Sequence, residues 1–387
     1  MKLKKTLSIL LGISLLSSLT ACKGIEDFLG DLYIEPTTTP TETTTTQPST
    51  GTTNPVITGT TPTTNTGVTP TTNTTTTPIT TTISEEDELR YGYLDLDRYE
   101  KKEVYKSFYQ EVYERLSAFD SSNRNITGAD FSGETLYQIE TITIKNVDIN
   151  AITHVETEKS YGLEFSEASA ILKLVELDHP EFYYMCGTVR ATSSTFMNNA
   201  KLELLIFVDE EYKDASTRAA LKTELNNFRS AVESTFEATD NEKTKVRKIH
   251  DYIKAHATYA FLADGVTPDD SNEAHNLMGI VHSGKGVCES YSELFTYLLK
   301  SFGINGITAT GTGITSSGSG GHAWNLVEID GKFYGFDVTW NDSTGTDKYY
   351  GISKTKLEAD HVVTVNDFDY GINYLYAMPT ISSTDLS

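Results

Sequence analysis

The sequence predicts an α+β fold, and three observations carry that reading. Stretches with apolar residues at helical spacing stand beside stretches rich in Ile and Thr that alternate. An Asp330-Gly331 pair separates two strand-like runs, the signature of an antiparallel hairpin. A glycine-bracketed turn, Gly284-Lys285-Gly286, leads into a strongly amphipathic helix that begins at Cys288.

The elements follow in order. Met1–Thr20 carries Lys2, Lys4 and Lys5 ahead of a short apolar run, Leu7 to Leu16, and reads as a signal peptide. The run is too short and too serine-broken for a membrane span. It ends Leu19-Thr20-Ala21-Cys22, which looks like the lipobox of bacterial lipoproteins, so residues 1–21 are expected to be removed and Cys22 to carry lipid. Each buried acyl methylene contributes roughly 0.8 kcal/mol, and two chains anchor stably. After a short segment, 22–35, residues 36–83 are nearly all Thr, with Pro, Asn, Gly and Ser. Such a tract buries too little apolar surface to offset its ordering entropy, so a disordered or extended linker is expected, with a reach on the order of 100 Å. It also accounts for a hydrophobic content of only 38% in a chain of 387 residues that still holds 22 Tyr and 16 Phe for a core.

Residues 84–239 are expected to form an N-terminal α+β region. Arg98–Phe119 places Val104, Tyr105, Phe108, Val112 and Leu116 on one helical face. Glu134–Val147 alternates and predicts a strand. Ser166 is expected to cap a helix with Ala170, Ile171, Leu174 and Val175 inside, stopping at Asp178-His179-Pro180. Phe182–Cys186 and Lys201–Val208 predict strands, with Cys186 a buried thiol, and Ala215–Phe236 and Asn241–Ala257 predict helices.

Residues 240–387 carry the chemistry. Tyr291, Leu294, Phe295, Leu298, Leu299 and Phe302 fall on one stripe, and Gly303 ends the helix, so Cys288 sits at a helix N-terminus. There the macrodipole is expected to lower the thiol pKa, and uncapped N–H groups can stabilise an oxyanion. A two-residue Asp330-Gly331 turn pairs Ile329 with Lys332, which puts His322 opposite Thr339 and Trp324 opposite Asp337. His322 and Asp337 are then diagonal neighbours on one face, close enough for a carboxylate to orient an imidazole.

Lys285-Gly286-Val287-Cys288-x-x-Tyr291, Gly321-His322-Ala323-Trp324-Asn325 and Asp337-Val338-Thr339-Trp340 together resemble the three motifs of the transglutaminase-like superfamily. The resemblance runs from about Asp240 to Thr380, and more weakly upstream through His250-Asp251-Tyr252-Ile253 and Asp178-His179-Pro180-Glu181-Phe182. It departs at Glu289-Ser290, where a glycine often precedes the tyrosine. The resemblance implies a papain-like core, a Cys288–His322–Asp337 triad forming a thioester with an amide substrate, and no cofactor. Water then gives a peptidase or amidase, and an amine gives a cross-linking enzyme; hydrolysis is expected, since a surface enzyme meets water first. A chain that kept the motifs without turnover would instead be a binding or adhesion module on a stalk.

The remaining features are assigned more plainly. The net charge of −23 argues against nucleic acid as a partner. The expected partners are a protein or peptide substrate, cell-wall peptide among the candidates, and the membrane through the lipid, with the protein a monomer on the outer face. Gly311–Gly321 is expected to be a flexible loop over the site. His275 and Asn276 could donate to an oxyanion, though solvated loop positions suit them better. Trp324, Trp340 and Tyr334 are expected in core and cleft wall. No metal is assigned: Asp264, Asp269 and Asp270 lack calcium-loop spacing, and His179, His250, His256, His282 and His361 show no ligand pattern.

Overall fold

The computed structural model describes residues 89–148, 160–196, 199–316, 318–363 and 377–387. The signal peptide, Cys22, the 22–35 segment and the 36–83 linker lie outside the described residues. Among the described residues no helix is long and apolar enough to cross a membrane.

The first half folds as helices on an antiparallel sheet. Helix α1 (Tyr91–Asp95) leads through a 3₁₀ turn into α2 (Lys102–Asp120), four residues later than the spacing predicts. Tyr105, Phe108, Tyr109, Val112, Leu116 and Phe119 make the buried face of α2, the three-and-four spacing of a half-buried helix. Strands β1 (Ala129–Phe131), β2 (Glu134–Asp148), β3 (Met185–Phe196) and β4 (Asn199–Val208) order as β1-β2-β4-β3. Helix α3 (Phe165–Asp178) is capped by Glu164 rather than Ser166. Glu164 and Glu167 form a reciprocal capping box, which satisfies two orphan N–H groups and starts the helix two residues earlier. The strand expected at Phe182 begins at Met185 instead, because Pro180 opens a 3₁₀ turn over Pro180–Phe182. Cys186 is half-buried, not fully buried, and packs at the margin of Leu136, Leu205 and Phe207.

The second half opens with α4 (Ala215–Glu233) and α5 (Glu242–His256), the latter capped by Asn241, which accepts the Thr244 N–H at 2.9 Å. Strand β5 (Thr258–Tyr259), α6 (Asn272–His275), α7 (Met278–Ser283) and β6 (Lys285–Gly286) lead to α8 (Cys288–Ser301). There follow β7 (Gly306–Thr315), β8 (Gly318–Ile329), β9 (Lys332–Phe336), α9 (Val338–Thr344), β10 (Tyr350–Ile352), α10 (Lys354–Leu357) and β11 (His361–Val363). The sheet order is β10-β9-β8-β7-β11, antiparallel at every pairing. This is an α+β arrangement with a cysteine-bearing helix against an antiparallel sheet.

Two expectations about this sheet change. The register is the predicted one from Ile329↔Lys332 to Asn325↔Phe336, and Asp330 and Gly331 both take positive φ, as a type I′ turn requires. The ladder stops at Phe336, however, and Val338–Trp340 is helical rather than extended. Asp337 accepts the Trp340 N–H at 2.9 Å, and that cap ends the strand by starting a helix. Gly311–Gly321 lies largely in strands, not a loop: Gly311 pairs with His322 and Gly313 with Gly320.

The buried face of α8, with Tyr291, Leu294, Phe295, Leu298 and Leu299, packs on β7 and β8 in a core that runs on into the first half. Asn325 of β8 donates to the Ser292 carbonyl at 2.9 Å and the Thr296 hydroxyl at 3.0 Å, both on α8. These buried bonds lock the axial position of the cysteine helix against the histidine strand.

Candidate active site

Cys288 is the first residue of α8 and is 8% exposed. Val287 before it offers no capping side chain, so no side chain occupies the first-turn N–H groups from the cap position. The backbone N–H groups of Ala323 on β8 and of Glu289 both favour a negative sulfur, which sets the thiol against β8 at the residue that follows His322 in sequence. Against them, burial and then the Glu289 carboxylate push the thiol well above its ordinary range, with Asp337 adding to the rise. The expected lowering by the helix terminus is therefore outweighed by desolvation and like charge, and the resting group is a thiol.

His322 and Asp337 meet as hydrogen-bonded partners. His322 Nε2 lies 2.8 Å from Asp337 Oδ2. Burial alone would raise the Asp337 carboxyl. The adjacent His322, hydrogen bonds from His322 and His361, and the Trp340 N–H together hold it below the usual carboxylate range. An ionised carboxylate only accepts, so His322 Nε2 carries a proton toward Asp337, and Nδ1 is the ring nitrogen turned away from that carboxylate. The indole of Trp340 stacks on the His322 ring, centroids 4.7 Å apart. Gly313 makes room for that stack, since a Cβ there would stand 2.8 Å from Trp340 Cζ2 and 3.1 Å from His322 Cβ. Trp324 and Tyr334 are buried in the core, while half-buried Trp340 forms the wall of the site.

Other side chains depart from expectation. His275 and Asn276 are not solvated loop residues. His275 closes α6 and pairs through Nδ1 with Glu289, next to the nucleophile. Asn276 donates at 3.0 Å to both the Tyr212 hydroxyl and the Asn272 carbonyl, so its amide is committed away from an oxyanion. The residue that sequence reasoning passed over is His361, whose Nε2 lies 3.1 Å from the same Asp337 oxygen. His322, Asp337 and His361 thus converge within 4.8 Å of one another, and their mutual hydrogen bonds account for the convergence. In a second convergence, of His250, Asp251 and Asp347, the Asp251 and Asp347 carboxylates are ion-paired with Arg247 and Lys254.

A thiol at a helix start, a histidine with one nitrogen fixed by a buried carboxylate, and N–H groups around the sulfur are the parts needed for acyl transfer. Residues 229–338 match the family model of the transglutaminase-like superfamily, a span that includes Cys288, His322 and Asp337. The chain is 25% identical to kyphoscoliosis peptidase of Mus musculus over 164 residues, 40% of this chain and 24% of that protein. It is 24% identical to kyphoscoliosis peptidase of Homo sapiens over 139 residues, 34% of this chain and 21% of that protein. The chain thus spans less than a quarter of the length of these curated relatives. Among solved structures it is similar to a TGase, with 16% identity over 39% of this chain and 44% of the other and a TM-score of 0.28. It is also similar to the periplasmic domain of TgpA from Pseudomonas aeruginosa, with 10% identity over 59% of this chain and 92% of the other and a TM-score of 0.25.

Proposed function

We propose that residues 229–338, a transglutaminase-like domain, catalyse hydrolysis of peptide or protein amides through a thioester on Cys288. The observation that carries the reading is the His322–Asp337 hydrogen bond placed beside a helix-terminal thiol. In this reading Cys288 attacks the amide carbonyl as its proton passes to His322 Nδ1. The C–N bond breaks when His322 returns that proton to the leaving amine. Asp337 stabilises the imidazolium between those steps, and backbone N–H groups at the start of α8 receive the oxyanion. Water then resolves the thioester, and the peptidase name of the mouse and human relatives favours water over an amine.

Iodoacetamide in limiting amount should label Cys288 before Cys186 and abolish amide cleavage, and Cys288→Ala should form no acyl-enzyme. Product masses from a peptide library, with and without added amine, separate hydrolysis from transamidation. Preferential labelling of Cys186 in active protein would overturn the assignment.

We further propose that Cys22 is lipidated and that the Thr-rich 36–83 segment holds the domain away from the outer face of the membrane. The Ala21-Cys22 junction behind the apolar run supports this reading. Cys22→Ser should then appear in the medium or remain unprocessed with its thiol chemistry unchanged. A variant still acylated and membrane-bound would refute it.

A further inference from the structure

His361 is buried, 1% exposed, and each of its ring nitrogens faces a carboxylate. Nε2 lies 3.1 Å from Asp337 Oδ2 and Nδ1 lies 2.8 Å from Asp360 Oδ1. Asp360 has partners for its ionised form besides His361: its Oδ2 accepts from the Tyr349 hydroxyl at 2.7 Å and lies 3.3 Å from the Lys348 ammonium. Ionised carboxylates accept and cannot donate, so two such partners require a proton on both nitrogens of one ring. The rings of Trp340, Trp324 and Tyr349 pack around it, 4.5, 4.9 and 5.4 Å from the His361 ring, and keep water from the pair of ion contacts.

We infer that His361 is a positioning residue of the site: an imidazolium clamped between Asp360 and Asp337 that fixes the Asp337 carboxylate and balances its charge. This role rests on the acyl-transfer reading of Cys288 and His322. Without a neighbouring cation, a buried Asp337 anion would hold a proton on His322 tightly or become protonated itself. With His361 charged, Asp337 can orient Nε2–H of His322 while Nδ1 stays open to receive the thiol proton. The resting thiol at Cys288 fits that state. The titratable groups around the pair are His322 on β8, Asp337 at the start of α9, Tyr349 and Lys348 before β10, Asp360 beside His361, and Cys288, Glu289 and Tyr259 on the nucleophile side.

The sign of the effect follows from charge. Removing a nearby positive charge makes every neighbouring group hold its proton more strongly. The acid limb of Cys288 reactivity must therefore move to higher pH. With the His322 and His361 ring centroids 5.6 Å apart, a unit charge at an effective dielectric near 20 shifts the limb by roughly two pH units.

The experiment is the pH profile of Cys288 alkylation by iodoacetamide, read by mass, in wild type, His361→Ala and His361→Gln, with nitrogen-15 spectra of the histidine rings. Wild-type His361 is expected to show two ring N–H protons at neutral pH. His361→Ala should slow alkylation at neutral pH by roughly 10- to 100-fold, the rate equivalent of a charge-assisted hydrogen bond. His361→Gln keeps an N–H donor for Asp337 without the charge. It should fold, recover part of that rate and still show the raised limb. A folded His361→Gln with the wild-type limb, or a single ring proton on His361, overturns the inference while leaving the reactive thiol in place. A wild-type Cys288 no more reactive than Cys186 would remove the acyl-transfer reading, and this role with it.

Discussion

Asp337 accepts from three N–H donors: His322 and His361 at Oδ2 and Trp340 at Oδ1. One carboxylate therefore orients the base, holds the second histidine and starts a helix. Asparagine is nearly isosteric but has a single acceptor oxygen, so Asp337→Asn must turn its NH₂ toward at least one of these donors. It also loses the charge that stabilises imidazolium. Acyl-enzyme formation should fall on the order of 10³- to 10⁴-fold, as when a buried triad aspartate becomes an amide. Stability should fall as well, by roughly 1–3 kcal/mol for a buried donor left facing a donor. Rapid-quench acylation and thermal unfolding of the same variant check both. Wild-type acylation would remove Asp337 from the mechanism, and wild-type stability would mean that the three bonds are not all made.

At the scale of elements, legibility in the sequence followed the locality of the cause. The β8–β9 register was readable because two residues with positive φ, Asp330 and Gly331, fix it within four positions. Helix α8 was readable because its apolar stripe is uninterrupted from Tyr291 to Leu299. Helix α9 was not. Val338, Thr339 and Trp340 favour strands by propensity, and one side-chain cap at Asp337 overrides all three. The glycine run 311–321 misled for the opposite reason. Glycine is scarce in strands, and what requires it at Gly313 is a tryptophan from α9 stacked on the histidine, a tertiary demand with no local trace. His361 was the least legible part of the site. The chain passes through α9, β10 and α10 before β11 returns it to the sheet edge beside β7, so no spacing rule links it to Asp337.

At the scale of the molecule, the question is what holds the first half of the chain to the cysteine helix. Asp178, at the end of α3, is the junction. Its Oδ1 accepts the Gly92 N–H at 3.0 Å and lies 3.4 Å from Lys300 Nζ. Its Oδ2 accepts the Tyr93 N–H at 2.9 Å and the Tyr109 hydroxyl at 2.8 Å. Lys300, in the last turn of α8, also donates to the Asp178 carbonyl at 2.8 Å. One buried side chain thus joins α1, α2 and α3 to the far end of the helix that carries Cys288. Replacing it by alanine leaves two backbone N–H groups, a phenol and an ammonium without their shared acceptor. The side chains of Asp178 and Lys300 are 0% and 13% exposed, so little water can substitute. Breaking a buried pair from one side costs roughly 3–5 kcal/mol. Asp178→Ala should therefore lower the urea midpoint by that equivalent, and it should do so in one transition, because the core is continuous across the junction. Cys288 alkylation at low temperature, where the variant remains folded, should stay near wild type, since Asp178 touches neither the thiol nor its base. A midpoint unchanged from wild type would show that the junction is dispensable. Two separated transitions, with Cys288 protected through the first, would show that the two halves fold independently and that Asp178 only decorates their border.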